Sequence, residues 1–214
     1  METSSVSIVA RSRVSPAAGH DPLMFCSQKI LEFWFSERDV YGFPVARKAW
    51  FEKNEQFDLD VKKIMGLAYQ EATDGNLNLW QSEAYSCLAL VILLDQAPRN
   101  MFRGASRMYS SDIQARAVAK RAIDLGYDKR VSIQEVLFFY IPFMHSEDLK
   151  DQHYCEALFA ALPSSADLEK ERKSAARHRE IIARFGRFPH RNKILGRRST
   201  PTENAFLKTP DSSF

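Results

Sequence analysis

Three short runs of residues carry most of the side chains able to do chemistry. The densest runs from Arg177-His178-Arg179 through Arg184-Phe185-Gly186-Arg187-Phe188-Pro189-His190-Arg191-Asn192, with His178 and Ile182 sharing one helix face. Guanidinium forks bind carboxylates and phosphates through paired hydrogen bonds, so the loop carrying Arg187, His190, Arg191 and Asn192 reads as an anion cradle; the alternative is a solvated basic helix with salt bridges to Glu147, Asp148 and Asp151. Gly186 and Pro189 bend this run away from the preceding helix and let its side chains turn inward. The second run is Tyr140-Ile141-Pro142-Phe143-Met144-His145-Ser146-Glu147-Asp148. An imidazole beside carboxylates can move a proton, which makes His145 and Glu147 candidate acid–base residues. The bland reading is a helix N-terminus, with Ser146 or His145 as cap and Glu147 and Asp148 complementing the dipole. The third run, Leu94-Asp95-Gln96-Ala97-Pro98-Arg99-Asn100, places Asp95 at the C-terminal end of an apolar helix, where the dipole opposes a carboxylate. Arg99, four residues on, is its nearest compensation. Asp95 is thus either a general base or metal ligand, or half of an internal ion pair that fixes the turn.

These runs must be held by helices. Phe57, Val61, Ile64 and Ala68 recur at helical spacing within a helix from about Asn54 to Thr73, closed by Asp74-Gly75-Asn76. Ile30, Leu31, Trp34 and Phe35 mark a first helix ending near Ser36, with Asp21-Pro22 as its start signal. Ser82 to Asp95 is apolar nearly all round and reads as the central helix, stopped by Pro98. Ser111 to Leu125 is amphipathic and closed by Gly126. Val131 to Tyr140 is assigned to helix on its length and its Gln134-Glu135 interior, with Pro142 ending or kinking it. Ser146 to Leu162 and Ala166 to Phe185 supply two more helices, and Thr200-Pro201-Thr202-Glu203 matches a capping box before a short last one. Alternating strand patterns and glycine-rich phosphate loops do not occur. The expectation is an all-α protein, an antiparallel helical array.

Length and composition fit one domain over 21–214, preceded by a tail, residues 1–20, expected to be disordered. An apolar fraction of 45% is enough for a real core. Cys26, Cys87 and Cys155 form no CxxC pair and suggest a reducing, cytoplasmic setting; Glu2 and sparse basic residues argue against a mitochondrial presequence. The longest apolar run is too short and too interrupted to span a membrane. The net charge of +3 conceals a local excess: Arg177 to Arg198 carries +7, leaving −4 elsewhere. No cofactor is specified by any motif.

The matching segments Ile30-Leu31-Glu32-Phe33-Trp34-Phe35, Leu93 to Asn100, Phe139 to Asp148, Arg184 to Asn192 and Leu195 to Thr200 resemble an uncharacterised bacterial all-helical family, domain of unknown function 924. The resemblance runs from about Gln28 to Phe214. Ala97 departs from it, standing where the family usually has a bulkier aromatic residue. The family implies a tetratricopeptide-like fold and no established reaction. The chemistry therefore rests on the residues. The leading expectation is a small-molecule site in which Arg187, His190 and Arg191 grip an anion, with Asn192, Arg99 and Arg184 beside them, while His145, Glu147 and Asp95 handle protons. A divalent metal on His145, Glu147 and His190 is the variant of this reading, although no established ligand spacing supports it. A helical groove binding an acidic peptide is the second expectation. RNA binding through the basic segment, with Phe185 and Phe188 stacking, ranks last.

Overall fold

The computed structural model describes residues 26–164 and 168–213. The Asp21-Pro22 start signal, the tail and the start at Ala166 lie outside the described residues. Nine α-helices are formed among those described: α1 (Ser27–Trp34), α2 (Glu55–Thr73), α3 (Ala84–Asp95), α4 (Ala97–Met101), α5 (Asp112–Asp124), α6 (Ile133–Met144), α7 (Leu149–Ala161), α8 (Glu169–Phe185) and α9 (Pro201–Phe206). No strand occurs among these residues, apart from one isolated bridge between Arg38 and Pro44. None of these helices is long and apolar enough to cross a membrane.

The centre is α3, whose run from Cys87 to Asp95 is buried without interruption. A helix apolar on every side must be surrounded, and α1, α2, α5 and α6 all pack against it. Asn54 caps α2 by accepting from the Phe57 amide at 2.9 Å. The inward stripe of α2 runs through Phe57, Val61, Met65, Ala68 and Ala72, so Met65 takes the place expected for Ile64, which is 44% exposed. A step of four from Val61 keeps the stripe turned toward α3 and α4, whereas a step of three swings the side chain to the flank.

Two prolines shape the ends of the central helices. Pro98 does not simply stop the chain; it occupies the first turn of α4, two residues beyond the Gln96 junction. Lacking an N–H, it leaves the Leu94 carbonyl without its helical donor, and the Ser111 hydroxyl donates to that oxygen at 2.6 Å. This bond ties the start of α5 to the end of α3. Pro142 lies inside α6, which continues to Met144 and is capped by His145. The cap of α7 is Asp148, accepting from the Lys150 amide at 2.8 Å, and not Ser146 or His145. Ser146 instead donates to Asp151 at 2.6 Å.

An aromatic cluster joins α1, α2 and α6. Trp34 stacks on Trp50 at 6.3 Å, and Phe138 meets Trp34, Phe35 and Trp50 edge-on at 5.6, 5.4 and 5.0 Å. The Trp50 indole also donates to the Trp34 carbonyl at 3.0 Å, fixing the turn Lys48–Trp50 against the end of α1. Phe138 is the shared partner. Phe138→Ala is expected to cost about 3–5 kcal/mol, measured by urea denaturation, because the cavity left between three large rings cannot close. A loss below about 1 kcal/mol would mean the cluster tolerates the void.

Candidate functional site

A cavity of about 260 Å³ opens where α4, α6, α8 and the turn Pro189–Arg191 meet. Trp50, Phe51, Met108, Tyr109, Ile141 and Met144 form its apolar lining. Its polar lining includes Gln96, Arg99, His145, His178, His190 and Arg191. Ligand pockets for drug-sized molecules run roughly 300–1,000 Å³, so the space suits a smaller compound.

Asp95 lies directly behind this wall, almost fully buried. Burial alone pushes its carboxyl up, but the Arg99 guanidinium and the hydrogen bonds from His145 and Gln96 outweigh that and hold it well below the usual carboxylate range. The Arg99 guanidinium lies 3.4 Å from Asp95 Oδ1 and 2.9 Å from Asp112, and it also donates to the Asp95 backbone carbonyl. Asp112 reaches this position because the Ser111–Leu94 bond sets the start of α5 beside α4, and an acid in the first turn suits the dipole.

His145 Nδ1 lies 2.9 Å from Asp95 Oδ1. Since the carboxylate only accepts, Nδ1 carries the proton and donates to it. Burial and the neighbouring Arg99 lower the affinity of His145 for a second proton, against the opposing pull of Asp95. The imidazole is therefore neutral at pH 7, with Nε2 as its acceptor and no hydrogen bond from that atom among the described residues. An oriented imidazole with an acceptor nitrogen at a cavity wall is a general base in form. Two further imidazoles line the space. His178 Nδ1 sits 2.8 Å from the Ser174 carbonyl, and burial brings its pKa down to about 3. Burial and Arg191 bring His190 down to about 4.

Arg191 is the anomaly of the site. Its side chain is 8% exposed, its guanidinium lies over the Tyr109 and Phe188 rings at 4.5 Å from each centroid, and Asp112 is 3.6 Å away. No side-chain hydrogen bond joins it to another described residue, and its buried Nε lacks an acceptor. Arg99 Nη2 is likewise buried without one. Burial, with Arg99 nearby, lowers Arg191 to about 10, so it remains a cation at pH 7.

Of the residues singled out by sequence, Arg99, His145, His190 and Arg191 line this cavity, with Asp95 behind His145. The rest lie apart. Glu147 is gripped by Arg197 at 2.5 and 2.9 Å and accepts from the Phe188 amide at 2.8 Å. Arg187 pairs with Glu203 at 2.6 and 2.8 Å, and Asn192 donates to Ser199 and Glu203. Arg184 lies over the Phe185 and Phe206 rings on the outer surface. These side chains hold the C-terminal arm, and so position the turn that presents His190 and Arg191. Among the described residues, no group of three or more His, Cys, Asp or Glu is arranged to hold a metal ion. His178, at the start of the basic run, also lines the cavity, while Tyr109 and Asp112 join the site without standing out in the sequence. His178 sits on the buried stripe of α8 with Ala175 and Ile182.

A family model described as a bacterial protein of unknown function, DUF924, matches residues 30–211. A solved structure of a protein of unknown function from Agrobacterium tumefaciens is 38% identical, with a TM-score of 0.76, covering 85% of this chain and 96% of that one. No protein of curated function is detectably similar.

The arm's carboxylates make its attachment acid-sensitive. Arg197 and the Phe188 amide outweigh burial to hold Glu147 below its ordinary 4.5, and the Arg187 fork brings Glu203 to about 2. Both pKa values are depressed on folding, so their stabilisation is complete above about 4.5 and fades as pH falls toward about 2. Hydrogen exchange should show residues 187–206 loosening in that window before α3 and α6 do. Glu147→Gln should release the same segment at neutral pH, at a cost of about 1.5–3 kcal/mol. Simultaneous loss of arm and core protection would contradict this.

Proposed function

The chain belongs to the bacterial DUF924 family, whose function is unknown, and we propose that it binds a small organic anion in this cavity and exchanges a proton with it at His145. The observation that carries the reading is Arg191, a buried guanidinium with no hydrogen-bond acceptor among the described residues. A buried charge costs several kcal/mol unless its hydrogen-bonding capacity is met. An anionic ligand in the cavity supplies acceptors to the Arg191 guanidinium nitrogens that border it. Arg99, which lines the same cavity, is a second cation for the same group. The aromatic and thioether side chains opposite suit an apolar body, and the oriented His145 suits acid–base work on it.

The roles narrow accordingly. Arg191 and Arg99 bind the anion, His145 carries the proton, Asp95 orients His145, and His190 lines the same wall. Glu147, Arg187, Asn192 and Arg184 act on the arm that carries Arg191 and are assigned no contact with the ligand.

Thermal melts with acetate, benzoate, sulfate and phosphate test this directly. At least one anion should stabilise the wild type by mass action, by about 2.7 kcal/mol at a concentration 100 times Kd. Arg191→Met should abolish that gain. Without ligand, this variant should stay folded and lose less than about 3 kcal/mol, because Asp112, 3.6 Å from Arg191, keeps the closer Arg99 guanidinium at 2.9 Å. If no anion stabilises the wild type and Arg191→Met loses about 3–5 kcal/mol, Arg191 is half of a structural ion pair and the reading fails.

A further inference from the structure

Counting the charges around the cavity narrows the ligand further. Four ionised groups are packed together at its polar end. Arg99 and Arg191 are the cations, and Asp95 and Asp112 the anions, with separations of 2.9 to 3.6 Å. The rim carries Lys170 and Glu171, one charge of each sign, and Arg103 is held by Asp58 at 2.7 Å. His145, His178 and His190 are neutral at pH 7. The polar end is thus electrically balanced before any ligand arrives, although hydrogen-bond donors on both guanidiniums remain unused. An anion placed against those donors leaves one uncompensated negative charge in a buried setting, which is costly.

One group is placed to cancel it. His145 already donates from Nδ1 to Asp95, and its Nε2 has no partner among the described residues. A proton from solvent at Nε2 makes an imidazolium that Asp95 stabilises from behind and the anion from the front. The charged and titratable groups facing His145 are Asp95 from α3, Arg99 from α4, Asp112 from α5, His178 from α8, and His190 and Arg191 from the turn before the arm. Without ligand, burial and Arg99 keep the imidazole unprotonated; an anion beside Arg99 and Arg191 offsets that repulsion.

Resting on the anion-site reading, we infer that the cavity takes a monocarboxylate together with one proton, the anion on Arg191 and Arg99 and the proton on His145 Nε2. The balance is simple: ligand anion, neutral His145 and one solvent proton give the anion–imidazolium complex, with no bond in the ligand broken. A phosphate monoester carries nearly a second charge at neutral pH, and His145 supplies compensation for one. Geometry adds to this. With the Arg191 guanidinium laid over the Tyr109 and Phe188 rings, its donors are usable at the edge, the arrangement a planar carboxylate matches through two parallel hydrogen bonds.

Calorimetric titration of the full chain with benzoate and with phenyl phosphate tests the inference, each run in Tris and in PIPES to count protons. Benzoate should bind with close to one proton taken up per molecule at pH 7.5. The affinity should fall about tenfold per pH unit as pH rises, as expected for one coupled proton. Phenyl phosphate should bind at least tenfold more weakly. His145→Gln, whose amide can still donate to Asp95, should make benzoate affinity independent of pH. Benzoate binding without proton uptake, or tighter binding of phenyl phosphate, overturns the inference and leaves the anion site standing. Silence of both probes also overturns it, and the anion melts with Arg191→Met then decide separately whether the site reading survives.

Discussion

Asp95 is a buried carboxylate at the negative end of the most buried helix, and the surrounding structure is arranged to make that position tolerable. Desolvation and the dipole both oppose its charge. Arg99, Gln96 and His145 oppose them, and each comes from a different local requirement of the chain. Gln96 is the hinge between α3 and α4. Arg99 returns to Asp95 because Pro98 restarts the helix instead of ending it. His145 arrives from the C-terminal end of α6, which carries Pro142 through to Met144. Without the carboxylate there is no reason for an arginine and an imidazole to converge on the end of α3, and no wall for the cavity.

The arrangement extends outward in steps. The Leu94 carbonyl freed by Pro98 recruits Ser111, Ser111 starts α5, and α5 brings Asp112 to Arg99 and Arg191. The C-terminal arm completes the far side: Glu147 takes the Phe188 amide and the Arg197 fork, Glu203 takes Arg187, and the turn Pro189–Arg191 is thereby pressed toward α6 and α8. The arm's ion pairs are hydrogen-bonded, while Arg191 meets Asp112 by charge alone, at 3.6 Å. That contrast separates residues that build the site from residues with capacity left to use.

Much of this is legible in the sequence because it is local. Helical spacing, the Thr200–Glu203 capping box and the apolar circumference of α3 follow from neighbouring residues, and the structure repeats them. Asp95, Arg99 and His145 stand out as charged or imidazole side chains at the ends of apolar runs, and His190 and Arg191 stand out where Gly186 and Pro189 bend the basic run. What the sequence leaves open is which opposite charges meet. Glu147 lies two residues from His145, yet its partner is Arg197, fifty residues away, and the partner of His145 is Asp95, fifty residues back. The side of α2 that faces inward, and so the choice of Met65 over Ile64, depends likewise on where α3 and α4 pack. Asp112 reads as an ordinary helix start because its role comes from Arg99, on another helix.

The state of His145 carries the account. Long-range nitrogen–proton NMR correlation on ¹⁵N-histidine-labelled protein, without ligand at pH 7, reports which ring nitrogen holds the proton, and His145→Gln assigns the signal by its disappearance. A neutral ring protonated on Nδ1, with an unprotonated Nε2, is the result expected if ionised Asp95 orients a free base toward the cavity. A neutral Nε2–H tautomer, or an imidazolium already present without ligand, would contradict it.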